Sequence, residues 1–286
     1  MDQNRTDLKD KVFLITGGTS GVGKATAIGL AKRGAKIVII SRSIEQSHMV
    51  LEEIVQRTGN DRGEYLIADL SLQSSIRAVA DEFKRKYDNL HFLANCVGAV
   101  FNEKQMTKEG IERSFAINYM SHFGLTTKLL DILKASGPSR IVTVTGNPAF
   151  LKNAKVNFED IQSVQNFNGL RATARAMFAR LFFTFELAKR LQRENVTANA
   201  FNPGVIKSNL TANSPWYIRL LTVFYRPFQK DICDISTYLA TSEEVDDISG
   251  GFFNHDRKIV PFQERFDPAV GEKLWAVSEQ LIQNTL

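Results

Sequence analysis

The stretch Thr16-Gly17-Gly18-Thr19-Ser20-Gly21-Val22-Gly23 follows the apolar run Val12 to Thr16 and leads into a helical segment opening Lys24-Ala25-Thr26-Ala27. Gly17 permits a tight turn, Gly21 lets backbone come close to a pyrophosphate, and Gly23 allows close packing of helix on strand. The amino end of the helix favours phosphate charge, because its first N–H groups have no acceptor within the helix. A glycine triplet alone is a common turn. Set between a strand and a helix it reads as a dinucleotide-binding loop, carried by Gly17, Thr19, Ser20, Gly21, Val22 and Gly23.

Outward from this loop, short β-branched runs alternate with longer segments of helical period. Lys36 to Ser41 precedes a helix through Gln56, and Glu64 to Ala68 precedes one to about Tyr87. His91 to Asn95 is followed by a long helix over Thr107 to Ser136. Arg140 to Thr145, a helix over Arg171 to Arg193 and the strand Thr197 to Phe201 complete the alternation, with a closing helix at about 269–283. Strands that read as continuous apolar runs between helices require a mostly parallel sheet covered on both faces, with right-handed crossovers. The fold class is therefore α/β, a doubly wound Rossmann-type sheet in a single domain over residues 1–286, with no internal repeat or linker.

The second strand ends Ile39-Ile40-Ser41-Arg42, where a carboxylate would hold an unphosphorylated ribose. An arginine there suits a 2′-phosphate, so the cofactor reading is NADP(H); a solvated strand-end arginine is the alternative. Asp69, in Ala68-Asp69-Leu70, suits either an adenine contact or a cap on the next helix.

Composition excludes several classes. Lys plus Arg total 36 against 31 Asp plus Glu, and the net +5 is dispersed rather than gathered into a stripe, which argues against nucleic acid. Cys96 and Cys233 lack a CxxC spacing, and His48, His91, His122 and His255 lack a metal spacing. No metal site or disulfide framework is expected, and a reducing, cytoplasmic location fits. The polar start MDQNRTDLKD is not a signal peptide, and no apolar run approaches the ~18 residues of a membrane span.

With these residues placed, the chain from about Leu8 to Ile282 resembles the short-chain dehydrogenase/reductase family, especially its retinol-dehydrogenase-like branch. The segments that carry the resemblance are the glycine loop, Asp69-Leu70-Ser71, Asn118 in Phe115-Ala116-Ile117-Asn118-Tyr119, Glu186 to Leu191, Val196 to Ala200, Asn202-Pro203-Gly204-Val205 and Lys273-Leu274-Trp275. The resemblance implies further cofactor contacts at Leu70, Asn95, Gly98, Pro203, Gly204 and Val205. It also implies chemistry by Asn, Ser, Tyr and Lys: tyrosine moves the proton, lysine lowers its pKa and binds the ribose, serine holds the substrate oxygen and asparagine supports a water relay. Counted without gaps from Glu186, the Tyr position is Thr173 and the Lys position is Met177. The serine position is Asn147, and Asn118 alone matches. The second Asn of the Asn-Asn-Ala-Gly motif is Cys96.

Three functions are compatible with this altered set. The first is reduction of an apolar molecule already activated toward hydride, an iminium or polarised alkene, with Asn147 as an amide donor or merely holding its own turn. The second is a non-catalytic NADP(H)-binding regulator, and the third a non-redox catalyst using the same pocket. As substitute proton donors, Tyr119 reads rather as core and Arg180, on the Thr173/Met177 stripe, rather as a surface or interface charge. Arg171 and Arg175 read as solvated, and Cys96 as a small buried hydrophobe. Ser214 to Arg226 reads as part of an apolar substrate lid at about 207–230, with peripheral membrane contact as the alternative. The resemblance implies a homodimer or homotetramer through the helices beginning near Thr107 and Arg171, where Ala172, Ala174, Ala176 and Ala179 allow close approach.

Overall fold

A computed structural model of the chain describes residues 8–207, 231–262 and 265–285. The strands β1 (Val12–Thr16), β2 (Lys36–Ser41), β3 (Gly63–Ile67), β4 (Phe92–Asn95), β5 (Ser139–Val144), β6 (Val196–Phe201) and β7 (Phe252–Phe253) form one sheet. Their order is β3-β2-β1-β4-β5-β6-β7, and each neighbouring pair is parallel. Register follows the apolar alternation. Leu14, Val38, Leu93 and Ile141 enter one core with Phe83, Phe123 and Phe183, while Phe13, Ile37, Phe92 and Val142 enter the other with Ile28, Leu30 and Leu239. A period of two with both faces apolar is the pattern of a sheet buried under helices on each side.

Helices α1 (Gly21–Ala31), α2 (Ile44–Thr58) and α3 (Gln73–Lys86) follow the first three strands. Ser43 caps α2 by accepting from Gln46 N at 3.2 Å, and the first turn of α3 is capped from a distance by Glu109, which accepts from Gln73 N and Ser74 N at 2.5 and 2.9 Å. The continuous helix expected over Thr107 to Ser136 is not formed. Residues 106–112 make a tight loop instead, closed by Thr107 N donating to Ile111 O at 2.8 Å, with Gly110 left-handed at φ 74°. Glu112 then caps α4 (Arg113–Phe115), which continues through a π-turn, Ala116–Met120, into α5 (Ser121–Lys128) and α6 (Leu130–Ala135).

The short helix α7 (Pro148–Leu151) and the two-residue β7 are too short to show a period and the sequence did not mark them, while α9 (Asp234–Thr241) follows Cys233, whose surroundings read as helical. The long helix α8 spans Gly169–Arg190, and α10 spans Pro268–Gln283. Against α8 lies α10: Trp275 stacks on Phe183 and meets Phe123 edge-on, Phe266 packs on Phe182, and Tyr119 shares a 2.8 Å hydrogen bond with Ser278. From Ala176 to Ala188 every residue of α8 is buried. The chain's own C-terminal segment thus occupies space around the helix expected to mediate association, and Ala172, Ala176 and Ala179 are core residues. Among the described residues, no helix is long and apolar enough to cross a membrane. The expected lid lies outside the described residues except for Lys207.

Candidate functional site

The glycine loop adopts the backbone its sequence demands. Gly17 and Gly21 are left-handed, at φ 65° and 56°. A Cβ on Gly23 would collide with the Gly17 carbonyl, whose carbon lies 2.7 Å away. At the amino end of α1, Ser20 makes no side-chain cap and the first turn holds no acidic residue, so the backbone N–H groups there meet no competing anion. Thr16 Oγ1 accepts from Cys96 N at 2.8 Å and Val97 N at 3.1 Å, which ties the end of β1 to the loop after β4. Those neighbouring strands are where the chain order reverses, the position at which open α/β sheets form a ligand crevice.

The remaining cofactor candidates distribute along this edge. Arg42 is exposed at the end of β2 and forms no hydrogen bond or ion pair with the described residues. Asp69 closes its own turn ahead of α3, with Oδ1 accepting from Ser71 N at 2.9 Å and Ser71 Oγ at 2.7 Å, so the helix-cap alternative does not hold. Leu70 is core. Asn95 is buried, donates to Thr126 Oγ1 at 2.8 Å and leaves its Oδ1 without a partner among the described residues. Gly98 is half-buried. Pro203, the left-handed Gly204 and the exposed Val205 line a cleft of about 160 Å³ with Ile206, Ile232 and His255. A larger cleft of about 760 Å³, lined by Arg140, Lys189, Thr197 and Asp246, opens at the amino ends of β5 and β6 and contains none of the candidates.

The chemistry-bearing stripe of α8 differs from the expectation at its third member. Thr173 is 1% exposed and its hydroxyl has no partner among the described residues. Met177 is buried, and its sulfur would lie 3.2 Å from a Cβ on Gly146, so a larger residue there would have to displace the thioether slightly. Arg180 was expected on the surface or at an interface, yet it is 1% exposed. Its guanidinium donates to Val144 O at 2.7 Å, Val97 O at 3.2 Å, Asn118 Oδ1 at 3.3 Å and, through Nε, Asn118 O. Burial pulls its pKa below the usual arginine range, but acceptors on nearly every N–H hold the charged form. The correction has a simple cause: four carbonyl-type oxygens replace the water that surface exposure would have supplied.

Asn118 is consumed by this arrangement. Its Oδ1 also accepts from Ala99 N at 3.0 Å, and its Nδ2 donates to Ala99 O at 2.7 Å and Ser114 Oγ at 3.2 Å. No side-chain atom is left over for a water relay. Asn147 is exposed and caps α7 by accepting from Ala149 N at 2.8 Å, the turn-holding alternative, while its Nδ2 remains available. Tyr119 is core, and burial raises its phenol far from any proton-transfer range. Burial likewise raises the Cys96 thiol. His122, absent from the expected site, is buried beside Arg180 with Nε2 2.8 Å from Val97 O. Burial first, and the Arg180 charge second, hold its pKa well below the usual value, so it is neutral at pH 7. Arg180 could have been found in the sequence as the lone charge within Ala176 to Phe185, a span otherwise apolar except for Thr184.

Comparison with known proteins agrees with this fold. The family profile described as short chain dehydrogenase matches residues 11–158. Retinol dehydrogenase 12 of Mus musculus is 35% identical over 275 residues, spanning 95% of this chain and 86% of the relative. Polyprenol dehydrogenase of Homo sapiens is 31% identical over 281 residues, spanning 94% and 84%. The Pseudomonas aeruginosa RhlG/NADP active-site complex superposes with a TM-score of 0.67 at 20% identity, over 89% of this chain and 97% of that one. The chain therefore belongs to the short-chain dehydrogenase/reductase family, in its retinol-dehydrogenase-like branch.

Proposed function

We infer that the chain is an NADP(H)-dependent oxidoreductase that transfers hydride to an apolar small molecule already activated toward it, an iminium or a polarised alkene. The observation that carries this reading is the α8 stripe. A threonine alcohol does not ionise near neutral pH, a thioether has no proton, and Arg180 is engaged by four oxygens on nearly all of its N–H groups. A substrate that needs acid assistance obtains none from Thr173, Met177 or Arg180. An iminium that accepts hydride becomes a neutral amine without a proton, and a reduced alkene can draw its proton from water.

The dinucleotide would be held by the backbone of Gly17 and Thr19 to Gly23 at the amino end of α1, with Asp69, Asn95, Gly98 and Pro203 to Val205 along the same edge. When bound in reduced form it supplies the hydride; the chain supplies binding, orientation and an apolar surround. Arg42, exposed and unpaired among the described residues, fits a 2′-phosphate and supports NADP(H) over NAD(H). An NADP complex of a structural neighbour is consistent with that preference. Relatives named for retinol and polyprenol, both apolar alcohols, support an apolar substrate. Asn147 would offer Nδ2 to a substrate oxygen.

The engagement of every side-chain polar atom of Asn118 also favours a second reading, a dinucleotide-binding regulator without turnover. Fluorescence titration with NADPH and NADH, followed by a panel of aldehydes, ketones and iminium compounds, separates the two. Tight NADPH binding with turnover of pre-activated substrates alone supports the reductase. Binding without turnover supports the regulator, and failure to bind either nucleotide overturns both.

A further inference from the structure

Arg180 reaches three elements at once: the loop after β4 through Val97, the π-turn through Asn118, and the end of β5 through Val144. The π-turn shifts the helical hydrogen-bond register, which lets the Asn118 carbonyl accept from a side chain. Val97 in turn lies against the glycine loop, since a Cβ on Gly17 would be 3.2 Å from Val97 Cα. The guanidinium therefore sits directly beneath the carboxyl ends of β4 and β5, one residue removed from the loop that would hold the pyrophosphate.

Among the described residues this charge is balanced by dipoles alone. No carboxylate among the described residues pairs with Arg180. The ionisable neighbours do not compensate it, because His122 is held neutral and the Cys96 thiol is held protonated. Bulk water, which would screen the charge, does not reach it: Arg180 is among the largest fully buried side chains. A fixed cation in such surroundings acts over a longer range than one at the surface.

The two redox forms of a nicotinamide dinucleotide differ in charge at the ring. The oxidised ring is a cation and the dihydropyridine is neutral. We propose that Arg180 makes this site select the reduced over the oxidised dinucleotide, because its buried charge opposes the nicotinamide cation. The proposal rests on the reading that the crevice binds NADP(H). As a general scale, a unit charge acting through an effective dielectric near 20 over roughly 10 Å alters a ratio of affinities by about tenfold. A tenfold preference raises the potential of the bound couple by about 30 mV.

The test is to measure dissociation constants of NADPH and NADP⁺ for the full chain by calorimetry, and the potential of the bound couple, in wild type, Arg180→Lys and Arg180→Gln. Lys keeps the charge with fewer donors; Gln keeps a donor without the charge. The expected result is NADPH binding about tenfold tighter than NADP⁺ in wild type and Arg180→Lys, with the ratio falling severalfold in Arg180→Gln. A wild-type ratio near one overturns the proposal even if neither variant folds. So does an equal loss of affinity for both forms in Arg180→Gln, which would make the residue a scaffold alone. Failure of wild type to bind either form would instead remove the cofactor reading on which the proposal stands.

Discussion

Arg180 and His122 donate to the same acceptor, the Val97 carbonyl, at 3.2 and 2.8 Å. One is a cation and the other is neutral: burial first and the arginine's charge second hold the His122 ring unprotonated, against the Val97 hydrogen bond, which favours the charged form. The pair fixes the loop that follows β4 against α5 and α8.

Acid sensitivity follows from His122. Its folded pKa lies below the unfolded value of about 6.5, so between the two the unfolded chain binds more protons, and stability falls as pH drops below about 6.5. Above that pH both states are neutral and the contribution is flat. The urea midpoint should therefore decline from pH 7.5 to 5.5. His122→Gln should decline less, keeping a residual slope because burial also lowers His91. An unchanged slope in His122→Gln would contradict this account.

Removing the Arg180 fork takes a donor from the Asn118 and Val144 carbonyls, while Val97 O keeps His122. Arg180→Leu should lower unfolding free energy by about 2–4 kcal/mol, since each buried acceptor without a partner costs on the order of 1–3 kcal/mol and relief of the arginine's own desolvation offsets part of it. Equilibrium urea unfolding of both proteins gives the difference, and a loss within 0.5 kcal/mol, the usual range for a surface change, would mean that water replaces the guanidinium.

The glycine loop and Arg42 make separable contributions to nucleotide binding. Gly23→Ala should abolish binding of NADPH and NADH alike, because its methyl group meets the Gly17 carbonyl. Arg42→Glu should weaken NADPH by at least about tenfold through loss of a charge-assisted contact, while NADH binding holds or improves. Fluorescence titration distinguishes the two patterns; equal effects of Arg42→Glu on both nucleotides would place the 2′-phosphate elsewhere.

Thr173→Tyr with Met177→Lys should raise carbonyl-reductase turnover at least about tenfold from a baseline near zero. The gain should be larger when Arg180→Leu is added, because a lysine one turn before Arg180 places two cations in one buried region. Steady-state assays with NADPH and an apolar aldehyde measure this. A wild type already turning over such aldehydes at ~1 to 1000 per second would refute the reading of the site.

The sequence by itself determined the sheet, its parallel sense and the glycine loop. Those features are written in local periodicity and in backbone positions such as Gly17 and Gly21 that only glycine adopts cheaply. It also placed Thr173 and Met177 on one stripe with Arg180, because helical spacing is a local property. What it could not give was the environment of that stripe. The oxygens that receive Arg180 come from residues 36, 62 and 83 positions away, and their convergence exists only after β4, β5 and the π-turn have packed together. The break in the helix expected over Thr107 to Ser136 is partly local, since Glu112 caps α4 three residues on, and partly tertiary, since Glu109 is drawn off to cap α3, 35 and 36 positions away. Burial decided the rest, turning an arginine that reads as a surface or interface charge into a buried one held by carbonyl oxygens.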